Sequence, residues 1–366
     1  MSAASRAERV PAAALQEDEV LLDAWRRLAE ARANPFLTPE WTQAWLGAYP
    51  AEEPFVIAWK VGDEVRGVLP LVAVREGATK LLRFAGARRG DWFTPACAEV
   101  DEVEMGRACA ALLGAERGAW NQLRLDRIDR ESAWPQVLWA DGAGGRLAAA
   151  APRRTDVLPF IDLAEGGWEA YLARRSRNFR SQLGRRRRKL EREHELSFRM
   201  TTDPAALAAD FETFYRLHEE RWEDRGGSSS GEEAVERFHG AFSALALERG
   251  WLRLWIAEAD GKPAAAWYGW RLGHRYCYAL SGLAKEYEPL ALGTVLLAHT
   301  IEQAAEEGCS IYDLMWGDEG YKSRFETGRR EAATWVLGRR GHPLTVGAAA
   351  RTRLEKLARR VRERRG

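Results

Sequence analysis

The residue types best suited to acid–base and anion-binding chemistry are concentrated between Gly317 and Phe325. This short segment provides two carboxylates, a phenol, an amine and a guanidinium: Asp318, Glu319, Tyr321, Lys322 and Arg324. A carboxylate or a phenol can accept or donate a proton, and the two cations can hold an anionic group. The segment is therefore a candidate catalytic site. The alternative is a charged turn that caps the next helix.

Two predicted elements would position this cluster. The run Ser310–Met315 predicts a strand that ends just before it, and ligands commonly lie at the carboxyl ends of strands in open α/β sheets. Upstream, the predicted strand Arg275–Leu280 leads through a loop into a helix over Thr294–Glu307. The start of that helix would offer backbone N–H groups and a positive dipole end. It could therefore bind a pyrophosphate, with the candidate positions Ala291, Leu292, Gly293 and Thr294.

A third element is the predicted helix Asp203–Glu223, which carries aromatic and polar residues at helical spacing. We expect its His218 and Trp222 to line the same cleft, with Arg221 as a further substrate-binding candidate. The pair His218-Glu219 begins like a zinc-protease motif, but Trp222 stands where the second histidine would be needed. The sequence therefore predicts no metal site.

The predicted elements occur in two similar series. A hairpin is predicted at Phe55–Val74 and again at Leu252–Leu272, and each is followed by a helix, a glycine and a strand. The two series are offset by about 190–200 residues, which indicates a duplicated α/β unit. The sequence thus predicts mixed sheets flanked by helices, with an N-terminal domain over 1–150, a second domain over 151–340 and a basic helix over 341–366.

Charge is distributed unevenly along the 366 residues. The net charge is +1, but residues 171–200 carry eleven Lys or Arg and three acids, and residues 339–366 carry ten and two. The first strip predicts either a solvated helix or an anion-binding platform for a phosphate-bearing ligand or RNA. The second predicts a solvated terminal helix or, as the alternative, peripheral contact with a membrane surface.

Several classes of protein are disfavoured by the sequence. No apolar run approaches the roughly 20 residues of a membrane span, and residues 1–16 lack the pattern of a signal peptide. The four cysteines form no CxxC pair, which is typical of a reducing compartment. We therefore expect a cytoplasmic location.

The pattern Tyr312-Asp313-Leu314…Gly317-Asp318-Glu319…Tyr321-Lys322…Phe325 resembles the C-terminal signature of the CelD/BioF2-like acyltransferases. These belong to the GNAT superfamily and are related to the Fem peptidyltransferases. The family order is also followed by Arg180…Arg187…Leu190-Glu191, by Phe214…Leu217-His218…Arg221-Trp222 and by the hairpin around Asp260-Gly261. The resemblance covers about 165–337 well and 35–130 faintly. It implies a tandem (double) GNAT-like fold, in which the N-terminal half is a degenerate copy without the chemistry, and acyl-CoA as co-substrate. In the segment 288–294, however, only Gly293 remains of the [RQ]xxGx[GA] loop of simple GNATs.

Acyl transfer from a thioester to an amine needs no enzyme nucleophile. It needs the two reactants held together, a base for the ammonium and donors for the oxyanion. Asp318 or Glu319 is the candidate base, Tyr321 could protonate the departing thiolate, and Lys322 could hold an anionic group. Three functions remain open: an acyl-CoA-dependent N-acyltransferase acting on an amino sugar, amino acid, peptide or polysaccharide precursor, a Fem-like transferase using aminoacyl-tRNA, and a non-catalytic binding protein.

Overall fold

The structure, a computed structural model, describes residues 4–116, 118–140, 147–150, 155–223, 232–317 and 319–339. The chain divides into two compact units, Met1–Val157 with Glu331–Gly366, and Leu158–Arg330. This division differs from the predicted one after residue 330, because the last strand pairs with a strand of the first unit. The basic helix predicted over 341–366 lies outside the described residues.

The described part of the first unit, apart from the last strand of the chain, contains the following strands and helices. They are β1 (Ser5–Arg9), α1 (Ala14–Glu17), α2 (Glu19–Ala31), α3 (Pro39–Ala48), β2 (Glu53–Val61), β3 (Glu64–Glu76), β4 (Thr79–Phe84), β5 (Ala96–Cys97), α4 (Glu102–Ala115), β6 (Gln122–Asp129), α5 (Trp134–Ala140) and β7 (Leu147–Ala150). Helix α3 is capped at its start: the Thr38 Oγ accepts from the Trp41 N–H at 3.1 Å, and Pro39 is the first helical residue. The indole rings of Trp25, Trp41 and Trp45 are fully buried in the core of this unit.

The second unit contains the strands β8 (Thr155–Asp162), β9 (Leu196–Met200), β10 (Leu252–Ala259), β11 (Lys262–Leu272), β12 (Arg275–Leu283) and β13 (Ile311–Asp313). The part of β8 before Leu158 belongs to the first unit. Its helices are α6 (Gly167–Arg174), α7 (Arg177–Glu193), α8 (Leu207–Trp222), α9 (Glu233–Glu248), α10 (Leu292–Glu306) and α11 (Lys322–Phe325). The basic strip over residues 171–200 does not form one continuous helix, because the chain breaks at Arg175-Ser176. The Ser176 Oγ caps the new helix by accepting from the Phe179 N–H at 3.2 Å. The last described strand, β14 (Gly328–Arg339), belongs to the first unit from Glu331 onwards.

The same strand pattern occurs in both units. In the first, the antiparallel pair β2–β3 is followed by β4, which pairs in parallel with β6. In the second, the antiparallel pair β10–β11 is followed by β12, which pairs in parallel with β13. A helix precedes β6 and β13 in each case. The repeated α/β unit predicted from the sequence is confirmed.

Helices cover both faces of the β11–β12 region. Successive side chains of a strand point to opposite faces, so Trp267 and Tyr268 of β11 face opposite ways. Tyr268 packs against Phe211 and Phe214 of α8. Trp267 packs beside Tyr312, whose hydroxyl hydrogen-bonds Thr300 of α10 at 2.8 Å. The sheet of the second unit is therefore held between α8 and α10. Within the described part of the chain, no helix has the length and apolar character to cross a membrane.

Candidate functional site

Strands β12 and β13 separate after a short parallel pairing. The pairs are Arg275↔Ile311, Tyr276↔Tyr312 and Cys277↔Asp313, after which β13 ends while β12 continues to Leu283. The half of β12 from Tyr278 to Leu283 therefore has no neighbouring strand on that edge among the described residues. Backbone N–H and C=O groups on such an edge can pair with an extended ligand.

The separation is fixed by a buried carboxylate at the end of β13. Asp313 is completely buried and pairs with Arg275 at 2.9 Å and with Arg330. Its Oδ1 also accepts from the Met315 N–H at 2.9 Å. Met315 has a φ of 61°, a left-handed conformation that is strained for a side chain of this kind. The chain is thereby turned away from β12 immediately after the strand.

The N-terminus of α10 lies beside the open half of β12. A Cβ placed on Gly293 would be 3.7 Å from the Leu283 side chain at the end of that strand. The Thr294 N–H donates to the Ala291 C=O at 2.9 Å, whereas within the described chain the N–H groups of Leu292 and Gly293 have no acceptor. Of the predicted donors, the two available ones are therefore those of Leu292 and Gly293. Ala291 precedes them with a φ of 56°.

A cleft of about 260 Å³ extends from this helix end to the basic helix α7. Thr294, Tyr321 and Arg324 line it on one side, and Arg175, Asn178, Gln182 and Arg186 of the α6–α7 region line it on the other. Arg175 donates to the C=O groups of Arg324 and Glu326, so it ties α7 to the predicted cluster. The guanidinium groups of Arg186 and Arg324 have no acidic partner in the described part of the chain, which leaves them available for an anion.

A chain of polar groups connects Tyr321 to helix α8. The Tyr321 hydroxyl donates to the Tyr278 hydroxyl at 3.1 Å, which is 2.6 Å from the Ser281 Oγ. Arg221 donates to the same Oγ, and the His218 Nδ1 is 2.8 Å from the Ser281 C=O. Burial, followed by the neighbouring Tyr278, raises the pKa of Tyr321 well above its usual value. Burial lowers the pKa of His218 despite the bond to Ser281. Tyr321 therefore stays protonated and His218 neutral near pH 7.

The side chains of the predicted cluster Gly317–Phe325 do not all lie in the cleft. Tyr321 lines the cleft, whereas Lys322 is buried and donates to the Trp316 C=O at 2.8 Å. The Lys322 Nζ also pairs at 2.8 Å with Glu319, whose carboxylate folds back over Gly317. Asp318 lies outside the described residues, as does the side chain of Trp222. His218 is buried beneath the Tyr278–Ser281 chain rather than on the cleft lining.

Three residues of the site had no clear signal in the sequence. Tyr278 and Ser281 form the polar chain. In the sequence, however, Tyr278 lies within the predicted strand Arg275–Leu280 and Ser281 directly follows it, so both would be expected to belong to the core. Arg186 lines the cleft, yet it belongs to a run of five cations in which no single position stands out. Only the helical phase of α7, which Ser176 sets, decides which cation faces the cleft.

In the first unit, the chain itself continues the pairing beyond the point where the counterparts of β12 and β13 separate. After Arg83↔Arg124, strand β4 ends, and Phe93 forms a parallel bridge with Ile128 of β6. The Arg127 guanidinium donates to the C=O groups of Ala87 and Gly90 and holds this segment in place. Unlike β12, strand β4 ends at this point and presents no long open edge among the described residues.

Gly282 allows α8 to approach β12 closely. A Cβ at this position would be 2.6 Å from the His218 backbone N and 2.7 Å from the Leu217 Cβ. We expect Gly282→Ala to destabilise the protein by about 1–3 kcal/mol through overpacking and to loosen the Ser281 contacts. Thermal unfolding measures this, and Gly240→Ala, whose Cβ would meet no atom within 4 Å, is the matched control. Equal melting temperatures for Gly282→Ala and the wild type would contradict the close packing.

Comparisons with known proteins agree with this geometry. Residues 177–323 match the family model described as an acetyltransferase (GNAT) domain. In the described part of the chain, no group of His, Cys, Asp or Glu side chains could hold a metal ion. No curated protein sequence is significantly similar to this chain.

Solved structures extend the likeness to both units. FemX has a TM-score of 0.58 and 11% identity, covering 83% of this chain and 92% of its own. A conserved protein of unknown function from Bacteroides thetaiotaomicron has a TM-score of 0.55 and 11% identity, covering 91% of this chain and 99% of its own. At such identities the likeness concerns the fold. The predicted tandem GNAT-like fold is confirmed.

Proposed function

We propose that this protein is an N-acyltransferase that moves an acyl group from acyl-CoA to an amine. The observation that carries the proposal is the meeting of three features in the second unit. These are the open edge of β12, the free N–H groups at the start of α10, and a protonated tyrosine in the adjoining cleft. The resemblance to CelD/BioF2-like acyltransferases, which was based on Tyr312–Phe325, supports the same assignment.

The donor would lie along β12 with its pyrophosphate at α10. The pantetheine arm is an extended chain with amide groups, so it can pair with the edge from Tyr278 to Leu283 as a strand would. The pyrophosphate would accept from the N–H groups of Leu292 and Gly293 at the positive end of the helix dipole. Arg186 and Arg324 would supply the balancing charge.

The reaction would proceed by direct attack. The neutral amine of the acceptor adds to the thioester carbonyl, the C–S bond breaks, and an amide and a thiolate result. Tyr321 gives its proton to the thiolate, and the ammonium proton leaves through Asp318 or Glu319, directly or through water. Lys322 holds Glu319 by its ion pair. The acceptor is an amino sugar, an amino acid, a peptide or a cell-envelope precursor, and the reaction would take place in the cytoplasm.

The proposal can be tested with the purified protein and a panel of donors. Melting temperatures with acetyl-CoA, longer acyl-CoAs and charged tRNA identify the donor, and release of free CoA thiol with an amine panel identifies the acceptor. Stabilisation by an acyl-CoA and amine-dependent thiol release are the expected results. If no acyl-CoA changes the melting temperature, the donor assignment fails.

A Fem-like transferase using aminoacyl-tRNA is the second candidate. It is favoured by the structural likeness to FemX and by the exposed cations of α7, such as Arg177, Arg185 and Arg188. Such a helix could bind RNA phosphates, and its affinity would then fall steeply with salt. The same donor panel distinguishes this function from acyl-CoA-dependent transfer, because charged tRNA would then stabilise the protein and acyl-CoA would not. A non-catalytic role would give neither turnover with amines nor thiol release. If the predicted basic helix over 341–366 forms, it could add peripheral contact with a membrane surface.

We expect Arg186→Ala to weaken CoA binding by about tenfold, because it removes one charge-assisted contact to phosphate. Arg185→Ala is the matched control, since Arg185 is the exposed neighbour on the same helix and does not line the cleft. Calorimetric titration with CoA at two salt concentrations measures both variants. Equal weakening by the two substitutions would indicate a general effect of helix charge rather than a contact in the cleft.

A further inference from the structure

The first unit contains a cleft that the proposed acyl transfer does not use. It has a volume of about 680 Å³, which is within the range of small-molecule sites. It is lined by the end of α3, the start of β2, the end of β3 and the start of β4. The place that corresponds to the donor site lies at the other end of β4, near the point where Phe93 bridges Ile128 of β6. This cleft is therefore not the degenerate copy of the donor site.

One cation of the cleft is held in a fixed position. The Arg88 guanidinium lies 5.2 Å from the ring centroid of Tyr49 and 5.7 Å from that of Trp45, and these two rings stack at 4.0 Å. One of its nitrogens donates to the buried Glu52 at 3.1 Å. Its other N–H groups have no acceptor among the described residues, and the side chain is 53% exposed. A guanidinium oriented in this way by a carboxylate and two rings is ready to bind an anion.

The carboxylate below Arg88 does not compete for a ligand. Glu52 also accepts from the buried Arg83 at 2.8 Å and from the Trp45 indole N–H at 2.6 Å. Its charge and both of its oxygens are therefore satisfied within the protein. Lys80 and Arg75 also line the cleft, and neither cationic group has an acidic partner in the described part of the chain. Because Glu53 is the remaining carboxylate on the lining, the cleft has a net positive charge.

The rest of the lining is apolar and small. It consists of alanine, proline and valine side chains beside the Tyr49 ring: Ala48, Pro50, Ala51, Ala73, Val74 and Ala119. Small apolar side chains leave room for a compact hydrocarbon body and would lose water when it binds. The cations and the apolar wall therefore favour different parts of one ligand.

From this arrangement we propose that the first unit binds a small organic anion, with a carboxylate or phosphate head at Arg75, Lys80 and Arg88 and an apolar body against the alanine-rich wall. The site is separate from the acyl-transfer cleft and does not depend on the function proposed for that cleft. A ligand bound here would stabilise the folded first unit by an amount that grows with the logarithm of its concentration once this exceeds the dissociation constant.

The test is calorimetric titration of the full chain with four probes. Octanoate and phenyl phosphate carry both a head and a body, inorganic phosphate carries the head alone, and octanol carries the body alone. We expect both complete probes to bind and both partial probes to bind at least about tenfold more weakly, because each loses one class of contact. Preference for octanoate or for phenyl phosphate decides between a carboxylate and a phosphate head.

Substitutions locate the binding. Lys80→Ala should weaken octanoate binding by about tenfold, whereas Lys80→Arg should retain most of the affinity. The double variant Arg75→Ala/Lys80→Ala should abolish measurable octanoate binding. Arg27→Ala, at an exposed cation of α2 outside the cleft, is the matched control. Arg186→Ala should leave octanoate binding unchanged, and the double variant should leave CoA binding unchanged.

Three results would overturn the proposal. The first is the absence of binding by both complete probes, and the second is octanoate binding that survives the double variant. The third is inorganic phosphate or octanol binding as tightly as the complete probes, since the head and the body would then not share one site. Circular dichroism of each variant shows whether a loss of binding is a loss of fold.

Discussion

Replacing Tyr321 by Phe is expected to lower kcat for acyl transfer by roughly 10²–10⁴-fold, the usual contribution of a positioned general acid. The affinity for CoA should change little, because the phenyl ring still fills the same place in the cleft. The substitution removes one hydroxyl, which donates to Tyr278 at 3.1 Å. Single-turnover thiol release and calorimetric titration with CoA separate the two effects.

The pH dependence gives a second readout of Tyr321. An ordinary tyrosine loses its proton near pH 10, but burial raises the pKa of Tyr321, so the acid form persists to higher pH. We therefore expect no fall in the wild-type rate as the pH approaches 10 that could be assigned to this group. A fall in rate towards acid pH is expected from protonation of the acceptor amine.

The control for Tyr321→Phe is Tyr287→Phe. Tyr287 is a buried tyrosine of the same unit that packs against His194 and does not line the cleft. Its substitution should leave kcat unchanged. If Tyr321→Phe turns over as fast as Tyr287→Phe in a protein that binds CoA, Tyr321 is not the acid and the thiolate leaves without its help.

The sequence predicted the elements of the site better than their arrangement. The β10–β11 hairpin could be predicted from the alternation of apolar residues and from the Asp260-Gly261 pair at its turn. Both residues adopt positive φ angles, which Asp and Gly tolerate better than most residues. The parallel pairing of β12 with β13 stops at Asp313, and it stops because of contacts with Arg275 and Arg330 that are far apart in the chain. Local patterns carry no information about such contacts.

The role of each charged residue was equally dependent on tertiary structure. Lys322 and Tyr321 are neighbours in sequence, yet one is buried under Trp316 and the other lines the cleft. A shift of one residue in the start of a helix rotates every side chain by about 100°, and α11 is only four residues long. A concentration of charge therefore located the site, but it did not assign the roles within it.

The second large effect is expected in stability, from Asp313→Ala. Removing this buried carboxylate deprives two guanidinium groups of their shared partner and should cost about 3–5 kcal/mol. Burial lowers the pKa of Arg275, and Asp313 opposes that shift, so without Asp313 the buried cation is more costly still. The midpoint of urea unfolding, at an unchanged slope, measures the loss.

A matched control distinguishes this buried cluster from ion pairs in general. Glu233 and Arg237 form an exposed pair one turn apart on α9, with 87% and 52% of their side chains accessible. Glu233→Ala should change the unfolding free energy by less than about 1 kcal/mol, because solvent screens the pair. If both substitutions cost the same, the cluster at Asp313 contributes no more than a surface pair.

Asp313→Asn separates the charge of Asp313 from its role in the turn. The amide oxygen can still accept from the Met315 N–H, so the strained turn keeps its hydrogen bond while the two arginines lose their counter-charge. If the charge pairing dominates, Asn should lose nearly as much stability as Ala. If the turn dominates, the Asn variant should retain most of the wild-type stability. Its kcat should then also stay close to that of the wild type, because this turn places Tyr321 against Tyr278. If Asp313→Ala is as stable as the wild type, the buried ion pairs do not hold β13 apart from β12. The open edge would then result from the packing of Tyr312 against Trp267 and Tyr276.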